Sequence, residues 1–174
     1  WCCLVGSEMC IRDRIASFVP YILLAGVCAL SIYLLQDDTI ASQLRYEREL
    51  FGAEPWRLVT HGFAHANIRH LSLNLSALIL IFLLFSEAFK SINWLLVLFA
   101  SAAISATGLY YFSPEVSWCV GLSGALHGLL VYALLRTKAS LVWLIALAAK
   151  IITEQMSLFE AVSYTHLRAH ETTP

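Results

Sequence analysis

Charge is what this sequence has least of. Asp, Glu, Lys and Arg make up 13% of its 174 residues against 59% hydrophobic side chains, and the mean hydropathy is +0.72. So little polar surface cannot clothe a water-soluble globule of this length, and the bilayer is the expected solvent. A basic excess is missing too. With 11 Lys and Arg against 12 Asp and Glu, the formal net charge of -1 excludes the electrostatic footprint of a nucleic-acid binder. The five cysteines form no CxxC pair and no Cys/His cluster at zinc spacing. Neither a disulfide framework nor a metal site is therefore expected, and no motif calls for a cofactor.

The two ends read as foreign by a test of their codons. Leu4 to Asp13 can be encoded by DNA whose reverse complement translates as Val162 to Glu171, and a TGT codon for Cys3 reads back as ACA for Thr172. One inverted element thus accounts for both termini, and it resembles the transposon-end adapter of sequencing libraries. Residues 1–14 and 162–174 are expected to be adapter-derived, leaving residues 15–161 as a membrane domain truncated at its C-terminal side. Cys2, Cys3, Cys10, His166 and His170 then drop out of consideration. The histidines left to explain are His61, His65, His70 and His127.

Between those ends the chain alternates apolar runs with short breaks. Ile15–Leu35 carries no charge and is long enough to cross a bilayer, which needs about 20 apolar residues. No A-x-A-like cleavage site follows it, so it reads as an anchor rather than a signal peptide. Gln36–Arg69 is polar and reads as an extramembrane loop with an interfacial, partly helical portion. Four more apolar runs follow at about 71–85, 92–112, 121–135 and 139–152. The fold class expected is an all-α polytopic membrane protein, a helical bundle in one domain. Ser101, Ala102, Ser105, Ala106 and Gly108 in the third run, and Gly121, Gly124, Ala125 and Gly128 in the fourth, permit close helix contact. Lys90, Arg136 and Lys138 lie in short connections, which places those turns and the N-terminus in the cytoplasm.

Polar residues at membrane depth are costly, so a cluster of them is a functional hypothesis by default. Two clusters open helices on the same side of the bilayer. Gly121-Leu-Ser123-Gly124-Ala-Leu-His127-Gly128 opens the fourth. His70-Leu-Ser-Leu-Asn74 opens the second, preceded by Trp56-Arg57 and by His61 and His65. A serine hydroxyl needs a base to become a nucleophile, and the tetrahedral intermediate of acyl transfer needs donors aimed at its oxyanion. His70 and Asn74, four apart, share a helical face, and both can donate. Near a helix start, Ser123 also has free backbone N–H groups around it. Glycines at 121 and 124 are expected to let a substrate backbone approach closely.

In this order along the chain, Trp56-Arg57, His70-x-x-x-Asn74 and Gly121-x-Ser123-Gly124 resemble the rhomboid intramembrane serine proteases. The compact form with Gly-Leu-Ser-Gly-Ala-Leu-His-Gly is most similar to the rhombosortase branch. The likeness implies a bundle of six transmembrane helices, of which five are present. It implies Ser123 as nucleophile, His70 and Asn74 in the oxyanion hole, and Gly121, Gly124 and His127 in support. Substrates would be membrane proteins with a transmembrane anchor, including C-terminal anchors of exported proteins. The setting would be a bacterial inner membrane, with the active site toward the periplasm. The family draws its general base from a histidine on a later helix, and residues 15–161 contain no such helix, so this fragment is expected to be inactive. His127, one turn after Ser123, is the only native alternative.

Plainer readings exist for each feature. Ser123 and its glycines resemble a small-residue packing motif, and His70 with Asn74 could serve as an interhelical hydrogen-bond pair. His61 and His65 read as loop-capping or interfacial groups, and Trp56-Arg57 as an interface anchor with the arginine reaching phosphates. Two rival functions follow from these. One is an inactive rhomboid-like protein that binds transmembrane segments, and the other is a small transporter with a polar midplane site.

Overall fold

The computed structural model describes the backbone of residues 2–137, with side chains from Phe18 onward, and the separate positions 143, 145 and 149. The chain divides into two units, Trp1–Thr137 and Lys138–Pro174. In the second, Trp143, Ile145 and Ala149 are helical, and the rest of the expected run 139–152 lies outside the described residues. All that follows concerns the first unit.

Among the described residues six α-helices build it: α1 (Cys2–Leu34), α2 (Asp38–Leu44), α3 (Arg57–Thr60), α4 (Ile68–Leu84), α5 (Asn93–Phe112) and α6 (Ser123–Arg136). Local chemistry sets several of their ends. Asp37 caps α2, its carboxylate accepting from the Thr39 and Ile40 N–H groups at 2.9 and 3.2 Å. Asn67 caps α4 in the same way, its side chain accepting from the His70 N–H at 2.9 Å. The apolar part of α1, Phe18–Leu34, and the short α2 are bent by 117° at the break between them. Among the described residues, α5 is the one single helix with the length and apolar character of a membrane span, at 20 residues. At 17 and 14 residues, α4 and α6 are shorter. At about 1.5 Å per residue, α6 covers roughly 21 Å of a hydrocarbon core about 30 Å thick.

Each long helix turns one stripe inward. Leu71, Asn74, Leu78, Ile81 and Phe82 of α4 are buried, while Leu73, Leu80, Leu83 and Leu84 face outward. Helix α5 buries Trp94, Leu98, Ala102 and Ala106, a strict fourfold spacing. Beside the last two, Ser101 and Ser105 meet α6 closely. A Cβ built on Gly124 would come within 2.5 Å of Ser105 Oγ, and one on Gly128 would collide with Ser101 Oγ and Cβ. Ser105 stays satisfied there by donating to the Ala102 carbonyl at 2.9 Å. This is the small-residue helix contact that the glycine and serine spacing implied. At the far end, Phe82, Phe89 and Trp94 form an aromatic knot, with centroids 4.4 Å apart for Phe82–Phe89 and 4.7 Å for Phe82–Trp94.

The all-α expectation needs one amendment. Two short strands, β1 (Tyr46–Glu47) and β2 (Trp118–Cys119), pair antiparallel with Tyr46 opposite Cys119 and Glu47 opposite Trp118. They tie the first loop to the connection between α5 and α6. Two-residue strands leave no periodic trace in a sequence, and only the tertiary approach of the two loops creates them.

Candidate active site

The nucleophile candidate, Ser123, is the first residue of α6, and its side is exposed. The backbone leading into it is unusual. Gly121 has φ +109°, the only positive-φ glycine among the described residues, and its N–H donates to the His61 carbonyl at 2.9 Å. A turn this sharp explains why glycine occupies the position. The first α-helical acceptor of α6 is the Leu122 carbonyl, which takes the Leu126 N–H at 2.9 Å. The N–H groups of Ser123, Gly124 and Ala125 therefore point out of the helix start, free to act as donors at its positive pole.

Both α4 side chains singled out in the sequence reach this turn. A methyl group on Gly121 would lie 2.5 Å from His70 Cε1, 2.7 Å from His70 Nε2 and 3.4 Å from Asn74 Nδ2. The imidazole edge and the amide thus rest against the backbone two residues before Ser123. Asn74 is buried, and its Nδ2 donates one hydrogen to the His70 carbonyl at 3.1 Å. The second amide hydrogen remains for another acceptor. Ser123, Gly121, Gly124, His70 and Asn74 are thereby collected at one end of the bundle by two non-adjacent helices.

His127 sits one turn along α6, as its spacing implied. Its Nδ1 donates to the Ser123 carbonyl at 2.7 Å, so the ring leans back toward the backbone of Ser123. Among the described residues no side chain makes a hydrogen bond to the Ser123 hydroxyl.

The loop histidines are structural in a specific way. His61 is buried, and its Nδ1 donates to the Arg57 carbonyl at 3.1 Å while its own carbonyl holds Gly121. Burial pushes its pKa below the ordinary histidine value. His65 is also buried, and its Nδ1 donates to the Phe63 carbonyl at 3.1 Å. Its ring meets that of His70 edge to face, with centroids 5.3 Å apart. Desolvation first, with the neighbouring His70 adding to it, lowers the pKa of His65 to about 4, so this ring is neutral near pH 7. Both rings lie inside the protein, each bonded to a backbone carbonyl of the first loop.

Trp56 and Arg57 part company. Trp56 is 51% exposed, as an interface anchor requires, but Arg57 is buried at 8%. Instead of reaching lipid phosphates, its guanidinium donates to Glu54 Oε2 at 2.5 Å and to the Ser42 and Arg45 carbonyls at 2.8 and 2.9 Å. Thr60 adds a bond to the Leu44 carbonyl at 2.9 Å. The C-terminal carbonyls of α2 are thus met by the first loop, which explains the burial: unpaired carbonyls inside would each cost about 1–3 kcal/mol.

Chemically, the site offers an exposed hydroxyl at a helix start, with an imidazole edge, a carboxamide and free backbone N–H groups around the same turn. That donor set suits a developing oxyanion. Residues 52–166, more than half of the chain, match the family model described as the Rhomboid domain. No curated protein matches.

Proposed function

This chain belongs to the rhomboid family of integral membrane serine proteases, and from that premise we propose that it is built to hydrolyse peptide bonds in or beside the transmembrane anchors of membrane proteins. Ser123 is the nucleophile. His70 Nε2, the second amide hydrogen of Asn74 and the backbone N–H at the start of α6 receive the oxyanion. Gly121 and Gly124 supply the clearance, the first for the His70 ring and the second for Ser105 of α5. The observation that carries this reading is the convergence of His70 and Asn74 on the Gly121 turn.

The reading takes its general base from a histidine on a helix later than α6, as the rhomboid likeness implies. His127 supports the site by holding the Ser123 carbonyl. Water and substrate meet at the exposed side of Ser123, and a substrate anchor enters between the helices from the bilayer. The rhombosortase-like arrangement points to C-terminal anchors of exported proteins as substrates, cleaved on the periplasmic side of a bacterial inner membrane.

The test uses the product of the intact locus with a membrane-anchored reporter. Ser123→Ala is expected to abolish cleavage while insertion and expression stay normal, and His70→Ala with Asn74→Ala to lower it strongly. Undiminished cleavage by Ser123→Ala would remove the assignment. Reporter binding without cleavage by the unmutated protein would favour a non-cutting relative that holds transmembrane segments.

A further inference from the structure

Helix α5 ends without a basic residue in its last turn. The negative pole of a 20-residue helix, with its unpaired carbonyls, would then meet solvent or lipid headgroups alone. The cation comes from the first loop, more than sixty residues earlier. Arg48 Nη1 donates to the Tyr110 carbonyl at 2.8 Å, and Nη2 donates to Leu109 and Ser113 at 2.7 and 2.6 Å. Its Nε donates to the Val116 carbonyl at 3.2 Å, and its backbone N–H to Ser117 at 2.9 Å. The guanidinium also lies 5.1 Å from the Tyr110 ring centroid, and Phe51 of the same loop stacks on that ring at 3.9 Å.

This clamp does more than close a helix end. Val116 and Ser117 run directly into β2, which pairs with β1 just before Arg48, and Gly121 then hangs on the His61 carbonyl. The whole connection from Ser113 to Gly121 is therefore stitched to one loop at three successive places, and Ser123 begins two residues later. The fork is the only one of the three stitches made by a side chain. A planar guanidinium can serve several carbonyls at once, which a single ammonium cannot.

We propose that Arg48 is a positioning residue for Ser123: by holding the carbonyls of Leu109, Tyr110, Ser113 and Val116 together it fixes the connection that delivers the Gly121 turn to His70 and Asn74. The claim rests on the reading of Ser123 as nucleophile, but its first test does not. Hydrogen exchange of the backbone amides is measured on this chain in detergent micelles. Arg48→Ala is expected to speed exchange of the Gly121 N–H at least tenfold while the amides around Leu78 in α4 keep their rates. Arg48→Lys, which keeps the charge, is expected to recover only part of that protection. Unchanged Gly121 exchange, equal loss at Gly121 and Leu78, or full rescue by lysine would each overturn the proposal. If Arg48→Ala does not insert, the Arg48→Lys comparison alone decides, with partial loss at Gly121 and none at Leu78 expected.

The second arm uses the product of the intact locus. Arg48→Lys is expected to lower kcat by about tenfold with KM within twofold, as misplacement of the nucleophile without loss of substrate contact requires. A rise in KM alone would contradict the positioning role. If the unmutated protein cleaves nothing, the protease reading fails, while the exchange result still decides whether Arg48 holds the turn.

Discussion

Replacing Gly121 by alanine perturbs the site at its tightest point. Two separate penalties follow from the geometry. At φ +109° a side chain is strained wherever it points, at about 1–3 kcal/mol. The new methyl would also lie 2.5 Å from His70 Cε1 and 2.7 Å from Nε2. Carbon atoms settle at about 3.5 Å or more, so the imidazole must retreat by roughly 1 Å or the turn must open. Either movement takes the His70 ring away from the proposed oxyanion position. Loss of one such donor lowers kcat by about 10²–10³, equivalent to roughly 3–4 kcal/mol. The assay is reporter cleavage by the product of the intact locus, beside denaturant titration in micelles. A kcat loss of about 100-fold or more is expected, with a stability loss near the strain figure. In a His70→Ala background the collision is gone, so Gly121→Ala should add only its strain and little further loss of rate. Wild-type stability and cleavage in Gly121→Ala would refute the reasoning, and so would a full 100-fold further loss in the His70→Ala background.

Four further outcomes follow. Gly128→Ala should destabilise the bundle by about 1–3 kcal/mol, because its methyl collides with Ser101 across the α5/α6 contact, and Ser101→Ala should restore part of the loss in a double-mutant cycle. Arg57→Ala should cost about 3 kcal/mol by leaving Glu54 and the Ser42 and Arg45 carbonyls unpaired, and Arg57→Lys should recover only a fraction, both read by denaturant titration. His65 should make stability pH-dependent. Its folded pKa of about 4 lies below 6.5, so the unfolded chain binds the proton more readily, and stability complete above pH 6.5 falls as pH drops toward 4, by up to about 3 kcal/mol. Replacing His65 with glutamine should flatten that dependence, whereas an unchanged slope would show that another group titrates. Asn74→Ala should lower kcat by about 100-fold with little change in KM if, as proposed, its second amide hydrogen serves the developing charge.

Much of this site could be read from the order of residues alone. Four-residue spacing put His70 and Asn74 on one face of α4, and the serines of α5 with the glycines of α6 announced a close contact that the structure contains. Apolar runs located α4, α5 and α6 to within a few residues, because these helices are apolar along most of their length and end close to where polar residues begin. The first loop was much less legible. Arg57 belongs to a pair that commonly anchors at the interface, and nothing local shows that its guanidinium is buried among carbonyls of α2. Arg48 is one of several loop arginines, and its partners lie sixty residues away. The missing basic residue in the last turn of α5 is no pointer to it either, since the last turn of α4 lacks one too. The β1–β2 pair left no signal, since two residues cannot establish a period. The positive φ of Gly121 was only half visible, as a glycine suited to close approach without the reason for it, which is the His70 ring.

The central claim is that Ser123 attacks the peptide carbonyl, and covalent trapping tests it most directly. The product of the intact locus, in micelles, is treated with an alkyl fluorophosphonate and digested, and the adduct is located by mass spectrometry. The account predicts a single adduct on Ser123, slowed at least tenfold by His70→Ala and absent in Ser123→Ala. An adduct on another residue, or reporter cleavage that persists with Ser123 unlabelled, would contradict it.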